Sequence, residues 1–454
     1  MTAEEVYAAL LARAGRGPAE RRLDAIARVL ELLGRPDRRF RFIHITGTNG
    51  KTSTSRIAAS VLQAHGRHVG LFTSPHLSRF TERIVVAGSP VEESLLVRAW
   101  ISTQAAIEEV DAELTREGRP PVTFFEALTA LAYRCFARAG VELAVVEVGV
   151  GGAWDASNAA DGEVAVVAPI ALDHAERLGS TVAEIAAVKA GIVKAGATVV
   201  SARQEGEAAA VLADQARRQG AGLLLAGRDF DALPAAPAVA HAALRGAAPV
   251  SQLVTLWGPF GRIADAELPL LGAHQAENAA LAMTAAHLLL GPEGTNLAAA
   301  RTGLREASSP GRFEVLAGSP LVVADAAHNP HGAGTLRRTA ESWERASEFA
   351  LVLGVLRDKD AGGIVRELAP LAGLLVATRP ASERALPAEE LAALAGSVRP
   401  DIPVLAAPSA ESAIALARDW AGAGSGRAVL ATGSIALVGE VRELLRGAPL
   451  APPR

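Results

Sequence analysis

The stretch Ile45-Thr46-Gly47-Thr48-Asn49-Gly50-Lys51-Thr52-Ser53 decides how the rest of the chain is read. It follows a strand candidate at 42–46 and opens a helix candidate at 51–65 that stops at Gly66. Strand, glycine-rich turn and helix start are the context a phosphate-binding loop requires. The glycines let the backbone approach phosphates, and free N–H groups at the helix N-terminus stabilise the anion. Lys51 would add a point charge at the β/γ-phosphates, and the hydroxyl of Thr52 or Ser53 would reach Mg²⁺. The stretch departs from the standard pattern at Ile45, where a glycine is usual. The plainer alternative is a strand–turn–helix junction with an incidental lysine.

Outward from this loop, short apolar runs at 69–73, 143–148, 164–170 and 198–201 read as buried strands. Residues 125–139, 181–193 and 208–219 read as helices. Such alternation predicts a parallel sheet covered on both faces. Residues 228–272 break the pattern: Pro and Ala are dense over 233–249, and alternation over 252–270 predicts antiparallel strands. Helical patterns return at 274–290 and 297–307. Ser308-Ser309-Pro310-Gly311 is the clearest linker signal in the chain. A second series follows, with strands at 321–325, 350–354, 374–378, 404–406 and 428–432. Its helices fall at 333–346, 362–371, 388–395, 409–421 and 435–446. The expectation is an α/β protein: a P-loop ATPase-like N-terminal domain with a mostly parallel sheet over 1–308, and a smaller Rossmann-like C-terminal domain over 309–454. A cleft between two such domains suits a reaction with two substrates.

Composition agrees with that size of core. The chain has 454 residues, half of them hydrophobic. Its formal net charge of −4 argues against a general nucleic-acid binder, whose footprint is basic. Substrate anions must then be held by local groups. The single cysteine, Cys135, excludes an intrachain disulfide and lies in an apolar helical pattern, as a structural thiol does. The first residues carry Glu4 and Glu5 and lack the basic start of a signal peptide. No uncharged apolar run reaches the roughly 18 residues of a membrane span. The expected setting is the cytoplasm, with no membrane or nucleic-acid partner.

Further chemistry sits at strand ends. Thr73-Ser74-Pro75-His76-Leu77 follows the second strand; alone it is a plain turn, but its place beside the loop makes Ser74 a candidate oxygen ligand. Glu147 interrupts an apolar run, and a buried carboxylate needs a partner, either a salt bridge or a divalent cation. His174 closes Leu172-Asp173-His174 on the same edge. Lys189 sits on a mostly apolar helix, where the plain alternative is a snorkelling surface lysine. Asp325 and His328 end the first strand of the second series, where a polar helix cap is the alternative.

Eleven motifs then stand in one order. They are GTNGKTS (47–53), TSPHLSRFTERI (73–84), TFFEAL (123–128), VEVGVGGAWDASN (146–158), LDH (172–174) and KAGIVK (189–194). GAHQAENAALA (272–282), PGRFEV (310–315), DAAHNPHGA (325–333), GVLRDKD (354–360) and GSIALVGEVREL (433–444) complete the series. Together they resemble the folylpolyglutamate synthase/dihydrofolate synthase family of the Mur-ligase superfamily, over roughly residues 40–445. The resemblance points to its bacterial bifunctional form.

The resemblance implies an ATP-dependent ligase that adds L-glutamate to dihydropteroate or to reduced folate (poly)glutamates through an acyl phosphate. It implies ATP contacts from Gly47, Thr48, Asn49, Gly50, Lys51, Thr52, Ser53, Asn278, Arg312 and Asp325. It implies two Mg²⁺ ions held by Thr52, Ser74, Glu147, His174 and a carbamylated Lys189, with a monovalent cation as a further expectation. Thr123, Phe124, Phe125, Glu126, Gly152 and Asp155 match the pterin pocket, and His328 matches a position near the phosphates or the incoming glutamate. Lys51, Lys189, His174 and His328 are the catalytic candidates. A monomer is expected. This chain departs from the family at Thr52, where Gly is usual, at Val188, where Glu is usual, and in GGAWDASN, which lacks an arginine. Residues 12–22 match poorly. The rivals are a cell-wall Mur ligase, against which TSPHL, TFFEA and GGAWDASN weigh, and an inactive nucleotide-binding protein, against which Lys51, Glu147, His174 and Lys189 weigh.

Overall fold

The computed structural model describes residues 1–15, 21–233 and 251–445. Two α/β units are present: one takes in Met1–Leu233, Thr255–Ala266 and Glu277–Ala307, the other, among the described residues, 251–254, Glu267–Ala276 and 308–445.

In the first unit, β1 (Arg41–Thr46), β2 (Val69–Phe72), β3 (Ile84–Val86), β4 (Ser89–Pro90), β5 (Leu143–Glu147), β6 (Val164–Val167), β7 (Thr198–Ser201) and β8 (Gly222–Leu225) form one sheet. Its order is β4-β3-β2-β5-β1-β6-β7-β8. Neighbours from β2 to β8 run parallel, and β3 and β4 add an antiparallel edge. Strands covered on both faces lose polar alternation and become continuous apolar runs, as in β5, where every residue is buried and only Glu147 is charged. One face packs on the helices Glu93–Arg116 and Phe124–Ala139 through Trp100, Tyr133 and Phe136. The other packs on Val182–Ala190 and Gly206–Arg218 through Ile185, Ala186 and Leu212. Cys135 lies wholly in the first of these cores, and burial pushes its thiol up to about 12.

A small sheet follows, of β9 (Asp231–Leu233), β10 (Gln252–Gly258) and β11 (Gly261–Leu268), in the order β11-β10-β9, with β9 and β10 antiparallel. The antiparallel pattern expected over 252–270 is present. The Pro- and Ala-dense stretch beyond Leu233 falls outside the described residues.

The second unit holds β12 (Glu314–Gly318), β13 (Leu321–Ala324), β14 (Glu348–Leu353), β15 (Ala372–Thr378), β16 (Val404–Ala407) and β17 (Arg427–Thr432). Their order is β12-β13-β17-β14-β15-β16, parallel throughout except for the β12 edge. Period-two alternation sends Leu351 and Leu375 to one core and Val352 and Val376 to the other. The fold is therefore the expected one: a P-loop-like unit with a mostly parallel sheet and a smaller Rossmann-like unit.

Three differences have physical causes. Helix Glu93–Arg116 is an addition to the expected elements: Leu96, Ala99, Trp100, Thr103, Ile107, Val110 and Leu114 recur at helical spacing and are buried. β6 ends at Val167, short of the expected 170, because Pro169 cannot donate to a ladder. The helix expected to run to 193 is capped at Gly191.

Candidate active site

The C-terminal edge of the first sheet gathers the candidate groups. Register places Ile45 of β1 beside Glu147 of β5, and Phe72 of β2 beside Val146. The phosphate loop leaves β1, Ser74 follows β2 by two residues, and Glu147 ends β5, so all three share one edge.

The loop is tied down on both sides. Thr46 Oγ1 donates to the Gly151 carbonyl at 2.7 Å. Thr48 N–H donates to the Pro169 carbonyl at 2.9 Å, and the Thr48 hydroxyl both donates to the Ala171 carbonyl and accepts the Ala171 N–H at 3.0 Å. Gly50 has φ +86°, and a Cβ there would stand 2.6 Å from Asn278 Oδ1, so only glycine fits between loop and helix. Asn278, buried on the helix Ala273–Leu290, also accepts the Thr54 hydroxyl at 3.3 Å. That cradle with Lys51 at a helix start suits a phosphate chain.

Two lysines converge on one oxygen. Lys51 Nζ donates to the Gly47 carbonyl at 3.0 Å and to Thr48 O at 3.3 Å; Lys189 Nζ donates to the same Gly47 carbonyl at 2.6 Å. Lys189 is 4% exposed, so it does not snorkel. Burial first, and then the Lys51 charge, push its amine well below the ordinary lysine range. Thr52 donates its hydroxyl to Glu147 Oε1 at 2.9 Å, and Glu147 is buried. A buried carboxylate beside a hydroxyl at a phosphate loop is a hard-oxygen donor set of the type Mg²⁺ takes. His174 is exposed, with φ +52°, and its N–H donates to Asp173 Oδ1 at 2.9 Å.

The residues matched to a pterin pocket divide in use. Thr123 caps the helix Phe124–Ala139: its hydroxyl accepts the Glu126 N–H at 3.3 Å, and Glu126 Oε2 accepts the Thr123 N–H at 2.7 Å. Glu126 also binds Arg22, whose Nε lies 3.0 Å from Oε1 and Nη2 3.2 Å from Oε2. Phe125 stacks at a tilt on Phe72, 5.9 Å between centroids, and Phe124 lies under the Arg83 guanidinium at 5.6 Å. Asp155 is buried; Oδ1 accepts the Ser157 N–H at 3.1 Å and the Ser157 hydroxyl, and Oδ2 accepts the Val150 N–H at 3.1 Å. Burial raises its carboxyl against the pull of those donors. Gly152 lies against the end of the Lys189 helix, where a Cβ would meet the Val188 and Lys189 carbonyls at 2.8 Å. That contact keeps the glycine loop seated on the helix that carries Lys189.

In the second unit, Asp325 follows β13. Its oxygens accept the N–H groups of Phe313 and Ala327, each at 2.8 Å, and burial raises its carboxyl while Arg312 opposes the shift. Arg312 Nη1 donates to the Gly311 carbonyl at 3.1 Å. His328 Nδ1 lies 2.9 Å from the Ala326 carbonyl, so it carries a proton and donates there.

A model of the Mur ligase middle domain matches residues 95–286, and one of the Mur ligase glutamate ligase domain matches 311–435. The chain is 37% identical to a dihydrofolate synthase/folylpolyglutamate synthase of Mycobacterium tuberculosis over 82% of this chain and 77% of that one. The chain belongs to the dihydrofolate synthase/folylpolyglutamate synthase family. A Mycobacterium tuberculosis folylpolyglutamate synthase solved with ADP and AMPPCP matches at a TM-score of 0.89 and 35% identity, over 97% of this chain and 98% of that one. An E. coli structure in complex with DHPP and ADP matches at 0.82 and 28% identity, over 97% and 98%.

Two groups in this synthase fold escaped the sequence reading. Arg22 is buried against Glu126 and also donates to the Pro120 and Pro121 carbonyls at 2.8 and 2.9 Å. Arg83 is buried beside Phe124, and its Nε donates to His76 Nδ1 at 2.8 Å. Burial, and then Arg83, lower His76 to about 4. Arg83 stands in the motif 73–84, where an arginine directly before the apolar strand Ile84–Val86 is the signal the sequence offers.

Proposed function

We propose that the chain is an ATP-dependent, ADP-forming ligase that adds L-glutamate to dihydropteroate and to reduced folate (poly)glutamates. The observation that carries this reading is the pair of lysines sharing the Gly47 carbonyl beside the Thr52–Glu147 hydrogen bond. That geometry gathers cationic groups and hard oxygens where a strand, loop and helix start would hold a nucleotide triphosphate. The E. coli relative described with DHPP and ADP supports the pteridine substrate.

In this reading the 47–53 loop, Asn278, Arg312 and Asp325 hold ATP. Thr52, Ser74, Glu147, His174 and Lys189 hold two Mg²⁺ ions, Lys189 as a carbamate, with a monovalent cation alongside. When bound, magnesium supplies charge neutralisation at the transferring phosphoryl group. Residues 1–308 form the ATP-binding domain and 309–454 the ligase domain. Phe124 and Phe125 line the pteridine pocket. Thr123 and Glu126 fix the start of their helix, and Gly152 and Asp155 hold the loop opposite.

The chemistry balances without a covalent enzyme intermediate. A substrate carboxylate oxygen attacks the γ-phosphorus, ADP leaves, and an acyl phosphate forms. The glutamate nitrogen attacks that carbonyl carbon, phosphate departs, and the ammonium protons pass to solvent. Lys51 would stabilise charge on the phosphoryl oxygens, and His328, which follows the first parallel strand of the second unit, would act beside the phosphates or glutamate. The protein works as a cytoplasmic monomer. No helix among the described residues is long and apolar enough to cross a membrane.

Phosphate release tests the reading. With ATP, Mg²⁺ and glutamate, release should depend on adding dihydropteroate or a reduced folate monoglutamate. Release with only one of the two reduces the enzyme to a single function; release with a cell-wall precursor and neither pteridine overturns the assignment.

A further inference from the structure

One buried network in the first unit serves none of the steps above. His44 is the fourth residue of β1 and wholly buried. Its Nε2 lies 2.8 Å from Ser157 Oγ, and the Ser157 hydroxyl is in turn directed at Asp155 Oδ1. Tyr133 pins the same turn by donating its hydroxyl to the Ser157 carbonyl at 2.9 Å. His44 Nδ1 is buried with no hydrogen-bond partner among the described residues.

Counting hydrogens fixes the arrangement. A serine hydroxyl has one proton, and here it goes to the carboxylate. Ser157 Oγ can then only accept from His44, so the imidazole proton sits on Nε2 and Nδ1 is bare. The other tautomer would strand a buried N–H donor and face two acceptors across one proton. Burial, followed by the Lys194 charge, holds His44 down to about 3, so the ring is neutral and carries only that one proton.

We propose that His44 is a positioning residue: through Ser157 it holds Asp155 as a fixed, ionised acceptor at the pteridine pocket. This rests on the placement of Asp155 at that pocket. Were Asp155 a neutral acid, its O–H would donate to Ser157, the serine would donate to His44 Nε2, and the proton would lie on Nδ1. The tautomer of His44 therefore reports the charge of Asp155.

The test combines a spectrum with kinetics. Nitrogen-15 NMR of the full chain labelled at histidine, at neutral pH, should show His44 as the Nε2–H tautomer; an Nδ1–H tautomer overturns the relay. This measurement uses the native chain and does not depend on a variant folding. His44→Leu and Ser157→Ala should each raise KM for the pteridine substrate by about fivefold, the worth of roughly one hydrogen bond, with KM for ATP unchanged. His44→Gln, whose amide N–H reaches the Nε2 position, should restore most of the loss. A wild-type KM in His44→Leu, or no difference between Leu and Gln, overturns the positioning role. Asp155→Asn with an unchanged pteridine KM removes the pocket placement itself, whichever tautomer is seen.

Discussion

At Glu126 a buried carboxylate meets its countercharge directly: Arg22 reaches both oxygens, at 3.0 and 3.2 Å, and the Thr123 N–H fills in at 2.7 Å. At the end of β1 the arrangement is reversed. Lys51 and Lys189 share one backbone carbonyl, so like charges are set side by side, and burial with that crowding drives Lys189 towards its neutral form. The first set is self-satisfied and locks the N-terminal segment to the start of the helix Phe124–Ala139. The second gains most from an anion placed between its members. The charge that locks structure meets an opposite side chain, whereas the two amines converge on a carbonyl of the loop proposed to hold a nucleotide.

That contrast predicts opposite phenotypes. Arg22→Leu leaves the Glu126 carboxylate buried without its partner, and should cost about 3–5 kcal/mol of stability. Its folded fraction should keep near-normal kcat, and denaturant unfolding with parallel kinetics checks both. A stable variant with no turnover would move Arg22 into the chemistry and dissolve the contrast.

Lys51→Ala should do the reverse. Turnover should fall by about 10²–10³-fold, as when one transition-state donor is removed, with little change in melting temperature. Near-normal turnover would show that the loop is not the ATP site.

Lys189 sharpens the comparison through pH. Its amine lies well below the ordinary range in the folded chain, so between its folded-state pKa and about pH 10 the unfolded chain binds a proton that the folded chain does not. Stability carried by this group is therefore present at high pH and lost as pH falls. Lys189→Met, in CO₂-depleted buffer, should flatten the rise of melting temperature between pH 7 and about pH 10. Parallel curves for the two proteins would contradict the burial argument. Activity of Lys189→Ala should fall by about a hundredfold, on the scale of one lost transition-state group, and short carboxylates should restore part of it. The smallest effect belongs to Thr52→Gly: losing the hydroxyl that orients Glu147 should weaken magnesium binding by about fivefold in titration calorimetry, the worth of one hydrogen bond.

Much of this was legible in the sequence because it rests on local pattern. Gly50, Lys51 and the apolar runs around Glu147 state their own backbone requirements. The antiparallel edge β12 was not legible, because a strand of half-buried residues gives weak alternation; the helix Glu93–Arg116 does carry helical spacing and could have been read from it. Arg22 could not be matched to Glu126, since 104 residues separate them and no local rule joins the two. The His44–Ser157 contact spans 113 residues and was equally invisible. Glu126 and Asp155 were matched as pocket residues by resemblance; the structure adds that both carboxylates also hold backbone in place.

The route through an acyl phosphate is the central claim, and isotope transfer tests it most directly. Substrate labelled with oxygen-18 in its reacting carboxylate is turned over with ATP and glutamate, and the released phosphate is weighed by mass spectrometry. Attack on the γ-phosphorus by that carboxylate places one labelled oxygen in each phosphate released. Unlabelled phosphate, with amide product formed at the same rate, would contradict it.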